Sequence, residues 1–193
     1  LGDVYKRQLV VYPILDLSKI GGPVHYVHSL EAALKDGLAV FGISAHVRDG
    51  LPGVWIGEGE QQRKIAAIGV RISHGVSCHG FALNISTDLT YFRHIVACGI
   101  FDLKVTSIER ELCSPVDAVS VRKLIVSALE IRLGFEMSCC GVYHSTWPRF
   151  GKVVGSISPI DGGKDPLQAV IMLLPDRIEF VIVASRGVHG YAT

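Results

Sequence analysis

The chain has 193 residues, a formal net charge of +1 and a rather apolar composition, 49% hydrophobic. Near-neutral charge without any Lys/Arg cluster argues against nucleic acid as the main partner, and no apolar run approaches the roughly 18 residues of a membrane span. The five cysteines, Cys78, Cys98, Cys113, Cys139 and Cys140, lack C-x-x-C spacing; this argues against a zinc site or disulfide framework and suits a reducing cytoplasm.

Residues 1–8, LGDVYKRQ, resemble the translated end of a transposon-type sequencing adapter. They are excluded from fold reasoning as a scar, with the expectation that genuine sequence resumes near Leu9 and has lost its true N-terminus. Leu9–Leu17 (LVVYPILDL) is rich in β-formers and reads as a strand, in which Pro13 favours an edge or a bulge. Val27, Leu30, Leu34, Leu38 and Phe41 recur at helical spacing and predict an amphipathic helix from Val24 to about Leu38, its last turn weakened by Gly37. GVWIGE is a short strand and GEGEQQR a polar turn.

The strand RKIAAIGVRIS follows. With a period of two, Lys64 falls on the side of Ala66, Ile68, Val70 and Ile72. An ammonium there is costly unless it is paired or snorkels into water. His74-Gly75 marks a tight turn into a second strand, CHGFALNIS, making a hairpin.

The next stretch, TDLTYFRHIVACGIFDLKVTSIEREL, is mostly loop. Thr106 or Ser107 is placed to cap a helical turn near Ile108. Ser114 and Pro115 suit the start of a helix whose stripe is Val116, Val119, Leu124, Ala128 and Leu133, with Gly134 as its C-terminal cap. SCCGVYHSTWPRFGKVVGSISPIDGGKDPL is turn-rich and precedes an apolar strand, RIEFVIVAS. Strands and helices thus mix without strict βαβ alternation, predicting an α/β or α+β-like domain, a mixed sheet flanked by helices. The predicted division is a scar at 1–8, a domain over 9–136 and an unassigned extension over 137–193.

Cys98 sits in IVACGIFD, where Gly99 frees the backbone to turn beside the thiol. One reading is inert packing; the other is a nucleophile. A free thiol of pKa about 8.5 is a few per cent thiolate at pH 7. Making thiolate the majority takes a shift of roughly two units, about 2.7 kcal/mol. A lysine ammonium about 4 Å away supplies on the order of 4 kcal/mol at an effective dielectric near 20. One lysine suffices, and the thiolate would be the partner Lys64 needs. His25 and His28 have a spacing that suits a metal on a helix, but no third ligand accompanies them.

KIAAIGVRIS, CHGFALN, TDLTYF and CGI…VTSI, with GVWIGE and the helix VHYVHSLEAAL, resemble the octanoyltransferase family, also called lipoate–protein ligase B. The resemblance runs from about Leu9 to about Gly134, and the lysine-to-cysteine spacing agrees with the family's. It implies the fold of the biotin/lipoate ligase catalytic domain and transfer of an octanoyl group from octanoyl-acyl carrier protein to a lysine of lipoyl-carrier domains. These belong to 2-oxoacid dehydrogenase complexes or are the glycine cleavage H protein. It also implies no metal, nucleotide or other cofactor.

Carried over by resemblance, Cys98 is the nucleophile that forms an acyl thioester and Lys64 its activator. Ala67, Ile68 and Gly69 line the acyl or substrate pocket, with Gly80, Phe81 and Ala82 doing so from the neighbouring strand; Phe81 would cover the alkyl chain. His79 stands beside this site as a substrate contact or a structural histidine. Two departures stand out. Ala97 occupies the position where the family commonly has Pro, and the family's R-G-G-x-x-T-Y-H-G-P-G-Q segment, which should precede Leu9, is absent. The parent activity is therefore expected to be weak or lost in this chain. An ATP-dependent lipoate or biotin ligase relative and an inactive carrier-binding fragment are the alternatives.

Overall fold

A computed structural model describes residues 7–94, 103–143, 153–159, 167–173 and 179–185. Gln8–Ile14 forms β1. Gly22–Val40 forms α1, with Pro23 in its first turn, where a missing N–H costs nothing. Ala45–His46 and Gly53–Ile56 are β2 and β3. Arg63–Ser73 and Val76–Asn84, β4 and β5, form the expected hairpin. His74 and Gly75 make its two-residue turn with φ of 50° and 80°, the backbone that a tight antiparallel connection requires.

Ile108–Leu112 is α2, capped by the Ser107 hydroxyl, which accepts from Arg110 N–H. Ala118–Leu133 is α3, closed by Gly134 at φ 72°. Its start lies three residues beyond the expected one, because Asp117 rather than Ser114 accepts from the free N–H groups of Val119 and Ser120. Its phase differs too: Val121, Ile125, Ala128 and Leu129 are buried whereas Val119 is 40% exposed. Ile125 packs where Gly37 of α1 leaves room; a Cβ at Gly37 would overlap its Cδ1. Gly37 thus lets α1 and α3 approach closely.

Beyond Gly134 lie Phe135–Tyr143 (β6), Val153–Pro159 (β7), Leu167–Leu173 (β8) and Glu179–Ser185 (β9). The stretch expected to be turn-rich therefore contributes strands. Among the described residues nine strands form one sheet, ordered β2-β3-β4-β5-β1-β9-β8-β7-β6. Among the strand pairs of the described residues, β1–β9 alone is parallel. The mixed sheet flanked by helices is the expected architecture.

Pro13 is not on an edge, since β1 lies between β5 and β9. Its missing N–H is tolerated because the β1–β5 ladder ends at Val11↔Phe81. Past that point Ser77 takes over: its hydroxyl donates to Pro13 O at 2.8 Å and accepts from Leu15 N–H at 2.9 Å.

One face of the sheet is the core. Leu9 and Val11 of β1, Phe81 and Leu83 of β5, Ala66 of β4 and Val54 and Ile56 of β3 pack with Leu30, Leu34 and Leu38 of α1 and with Ile125 and Leu129 of α3. Among the described residues no helix is long and apolar enough to cross a membrane.

Candidate active site

The alternation expected for β4 breaks at its start. Val54 pairs with Ala66 but Trp55 pairs with Lys64, so Ile65 is an extra residue, a β-bulge. Ile65 and Ala66 both join the core, and Lys64 turns to the opposite face beside Trp55. Lys64 therefore does not share a face with Ala66 as period-two reading predicted.

On that opposite face Lys64 is buried, 5% exposed. Its Nζ donates to Pro52 O at 3.0 Å and lies 4.7 Å from the centre of the Trp55 ring. A cation over a desolvated indole gains on the order of 2 kcal/mol, so the Pro52 carbonyl and the Trp55 ring both help to offset the burial of the ammonium. Arg48 stands 4.7 Å from the same ring. Gly53, at φ 130°, closes the cage: a Cβ there would meet Ala66 O at 2.5 Å and the Lys64 Nζ at 3.3 Å. Only glycine allows this backbone conformation and this approach together.

The chain downstream of Cys98 is fastened to the same place. Lys64 N–H donates to Lys104 O at 2.8 Å and Thr106 N–H donates to Lys64 O at 2.9 Å, a parallel bridge centred on Val105. Asn84, at the end of β5, donates to Thr106 O at 2.9 Å and accepts from the Gln8 amide at 2.6 Å. All three side chains of this polar chain are buried, where unpaired amides would be costly. Arg63 Nε meets Glu111 Oε1 at 2.7 Å, and the Thr106 hydroxyl donates to the same carboxylate. Those contacts, Arg63 first, hold the Glu111 carboxyl below its ordinary range despite burial. Lys104–Glu111 is thus pinned to the head of β4.

The predicted pocket residues divide between the two faces. Ala67 pairs with Ala82 and Gly69 with Gly80 across the hairpin. Ala67 and Ala82 are half-buried and Gly69 is exposed with open space above it. Ile68 and Phe81 pair with each other and point the other way, into the core, where Phe81 is 2% exposed. Phe81 therefore does not cover the open face. Gly80 is small for a different reason from the one expected: a Cβ would overlap the Val11 carbonyl oxygen and crowd the Pro13 ring. What approaches its backbone is β1.

His79, exposed, adopts φ 64° and sets its ring edge-on to Tyr12 at 5.6 Å. Cys98 lies outside the described residues, six positions before Lys104. His25 and His28 are both exposed, and His28 Nδ1 lies 3.2 Å from Glu31. Among the described residues no group of three potential metal ligands gathers. Gln8, assigned to the scar by sequence, is the first residue of β1 and part of the Asn84 chain.

Residues 4–130 match the lipoyl protein ligase A/B catalytic domain. The chain belongs to this family. Among members of the lipoyl protein ligase A/B family, it is 44% identical over 142 residues to an octanoyltransferase of Cytophaga hutchinsonii, an alignment covering 72% of this chain and 57% of that protein. It is 47% identical over 118 residues to an octanoyltransferase of Bacteroides fragilis, covering 60% and 53% respectively. The chain spans about half the length of these curated relatives. The solved apo biotin protein ligase from Aquifex aeolicus aligns with a TM-score of 0.48 and 14% identity over 62% of this chain and 50% of that one.

Two participants of the site escaped the sequence reading. Trp55 carried no signal beyond a short apolar strand. Glu31 did carry one: it falls four residues after Val27 on the stripe assigned to the core, and the structure buries it to 6% exposure. A carboxylate on an apolar helix face needs a partner.

Proposed function

We propose that this lipoyl protein ligase A/B family domain is the core of a cytoplasmic octanoyltransferase that works through a thioester on Cys98, with Lys64 as activator. The observation that carries the proposal is the buried Lys64 ammonium, held by Pro52 O and the Trp55 ring and hydrogen-bonded through its backbone to the segment that begins six residues after Cys98. The relatives named octanoyltransferase support the choice of acyl group.

The chemistry follows from charge. Lys64 favours the Cys98 thiolate, which adds to the carbonyl of octanoyl-acyl carrier protein. The tetrahedral oxyanion collapses, breaking the bond to the carrier's sulfur, which leaves and takes up a proton. The lysine amine of a lipoyl-carrier domain then attacks octanoyl-Cys98, loses its proton and expels the Cys98 thiolate with an amide formed. Backbone N–H groups near Cys98 would stabilise the oxyanions. Ala67, Gly69 and Ala82, the small residues of the open face, leave room for the acyl chain beside Lys64. No nucleotide enters either step.

The test is intact-mass analysis after mixing with octanoyl-acyl carrier protein, on this chain and on a form of the relatives' length. The expected result is one octanoyl adduct mapped to Cys98, absent in Cys98→Ser, slowed in Lys64→Ala and passed to a lipoyl domain without ATP. No adduct in either form, or transfer that requires ATP, overturns the proposal; the second outcome would identify a ligase.

A further inference from the structure

We propose that Glu31 is a positioning residue for Lys64, acting through the Pro52–Gly53 peptide, which it holds with its carbonyl toward the ammonium. The inference rests on the Lys64–Cys98 reading above and extends it to a residue on the opposite side of the β3 strand.

The geometry is a relay through one peptide group. The oxygen of the Pro52–Gly53 peptide accepts from Lys64 Nζ at 3.0 Å. The N–H of the same peptide donates to Glu31 Oε1 at 3.2 Å. The peptide is therefore polarised between a buried ammonium and a buried carboxylate, 5% and 6% exposed. Its dipole points the right way at both ends: negative oxygen to the cation, positive hydrogen to the anion. Charge-assisted hydrogen bonds of this kind are roughly twice as strong as neutral ones, and each end makes the other more favourable.

The sequence is otherwise hard to account for. Glu31 interrupts an α1 face of Tyr26, Leu30, Ala33, Leu34 and Leu38 that is wholly buried. Its second oxygen has the exposed His28 ring 3.2 Å away, leaving Oε1 for the interior. Gly53 supplies the complementary constraint. The oxygen and N–H of a trans peptide point opposite ways; Gly53, at φ 130°, sets the orientation of that peptide relative to the strand, with the oxygen toward Lys64 and the N–H toward Glu31 of α1. A side chain there would crowd the Lys64 Cε at 3.2 Å. Without Glu31 the hydrogen bond that holds the N–H end of the peptide is lost, and the Pro52 carbonyl is less firmly aimed at Lys64.

The test measures alkylation of Cys98 by iodoacetamide against pH in the full chain, mapped by peptide mass, in wild type, Lys64→Ala, Glu31→Ala, Glu31→Asp and Glu31→Gln. Lys64→Ala should raise the midpoint by one to three pH units. Glu31→Ala should raise it by about one unit, with no additional shift in the double variant with Lys64→Ala. Glu31→Gln, which keeps an acceptor oxygen but not the charge, should give a midpoint between those of wild type and Glu31→Ala. Should Glu31→Ala fail to fold, Glu31→Asp decides: it keeps the charge but withdraws the oxygen by about one C–C bond, about 1.5 Å, and should shift the midpoint in the same direction. If Lys64→Ala moves the midpoint but neither Glu31→Ala nor Glu31→Asp does, the relay is wrong. If Lys64→Ala itself moves nothing, the lysine–cysteine reading has failed, and the relay with it.

Discussion

Gly69 and Gly80 face each other across the β4–β5 hairpin, yet a methyl group added to each meets opposite surroundings. At Gly69 nothing lies within 4 Å. Gly69→Ala removes freedom from the unfolded chain without a clash and should stabilise by about 0.4–1 kcal/mol. At Gly80 the methyl would overlap the Val11 carbonyl oxygen and stand 2.7 Å from Pro13 Cδ. Neither neighbour is the end of a flexible side chain, so β1 must move off β5. Overpacking of this kind costs about 1–3 kcal/mol. The two variants should therefore differ by about 1.5–4 kcal/mol in unfolding free energy, Gly80→Ala being the weaker. Urea denaturation followed by circular dichroism reads the difference as a shift in midpoint at constant slope. The functional outcome should be inverted: Gly69→Ala narrows the open face and slows octanoyl transfer while the fold is kept. Gly80→Ala as stable as Gly69→Ala within about 0.5 kcal/mol would refute the close packing of β1 on β5 and return Gly80 to the pocket.

Three further outcomes follow from buried and part-buried polar contacts. Tyr26 Oη and Ser77 Oγ both donate to Pro13 O, each at 2.8 Å, but Ser77 Oγ also accepts from Leu15 N–H. Tyr26→Phe should cost about 1 kcal/mol, and Ser77→Ala about 2–3 kcal/mol because it leaves a buried N–H without its acceptor, in thermal or chemical unfolding. The Glu111 carboxyl is held below its ordinary value of 4.5, chiefly by Arg63. A lowered native pKa contributes stability that is complete above the ordinary value and is lost as pH falls through the lowered one. Glu111→Gln should lower Tm at neutral pH and flatten its decline in acid, as a Tm–pH series would show.

How legible the fold was depended on whether the determinant was local. The His74-Gly75 turn and the Gly134 cap are legible in the sequence, and the cap of α2 is legible to within one residue, Thr106 or Ser107, because each is set by a residue's own backbone preferences or by a hydrogen bond to a near neighbour. The face of Lys64 was not legible. Its position depends on an extra residue, Ile65, accommodated against β3, and nothing in RKIAAIG distinguishes a bulged strand from a regular one. Pro13 reads as an edge or bulge residue because the side-chain substitute for its ladder, Ser77, lies far along the chain. The phase of α3 was misread for a related reason. Its apolar residues are spread widely enough to support two stripes, and Gly37 of α1 selects the one containing Ile125.

Family resemblance pointed to Lys64 and to the small residues around it, and the structure adds the partners that hold the lysine. It also separates two roles that one motif had merged. In KIAAIG and HGFALN, alternate residues serve opposite faces, so Ala67, Gly69 and Ala82 stay with the open side while Ile68 and Phe81 build the core.

The most direct test of the account is the single-turnover rate of octanoyl transfer from acyl carrier protein to Cys98, measured from about pH 6 to pH 9.5 in wild type and Lys64→Ala. A free thiol ionises near pH 8.5. If Lys64 supplies the charge that ionises Cys98, the wild-type rate should already be near its plateau at neutral pH. The variant should lag at least tenfold there, for a shift of one unit or more, and recover as pH passes about 8.5. Superimposable profiles, or a variant equally slow at every pH, would contradict Lys64 as the group that activates the thiol.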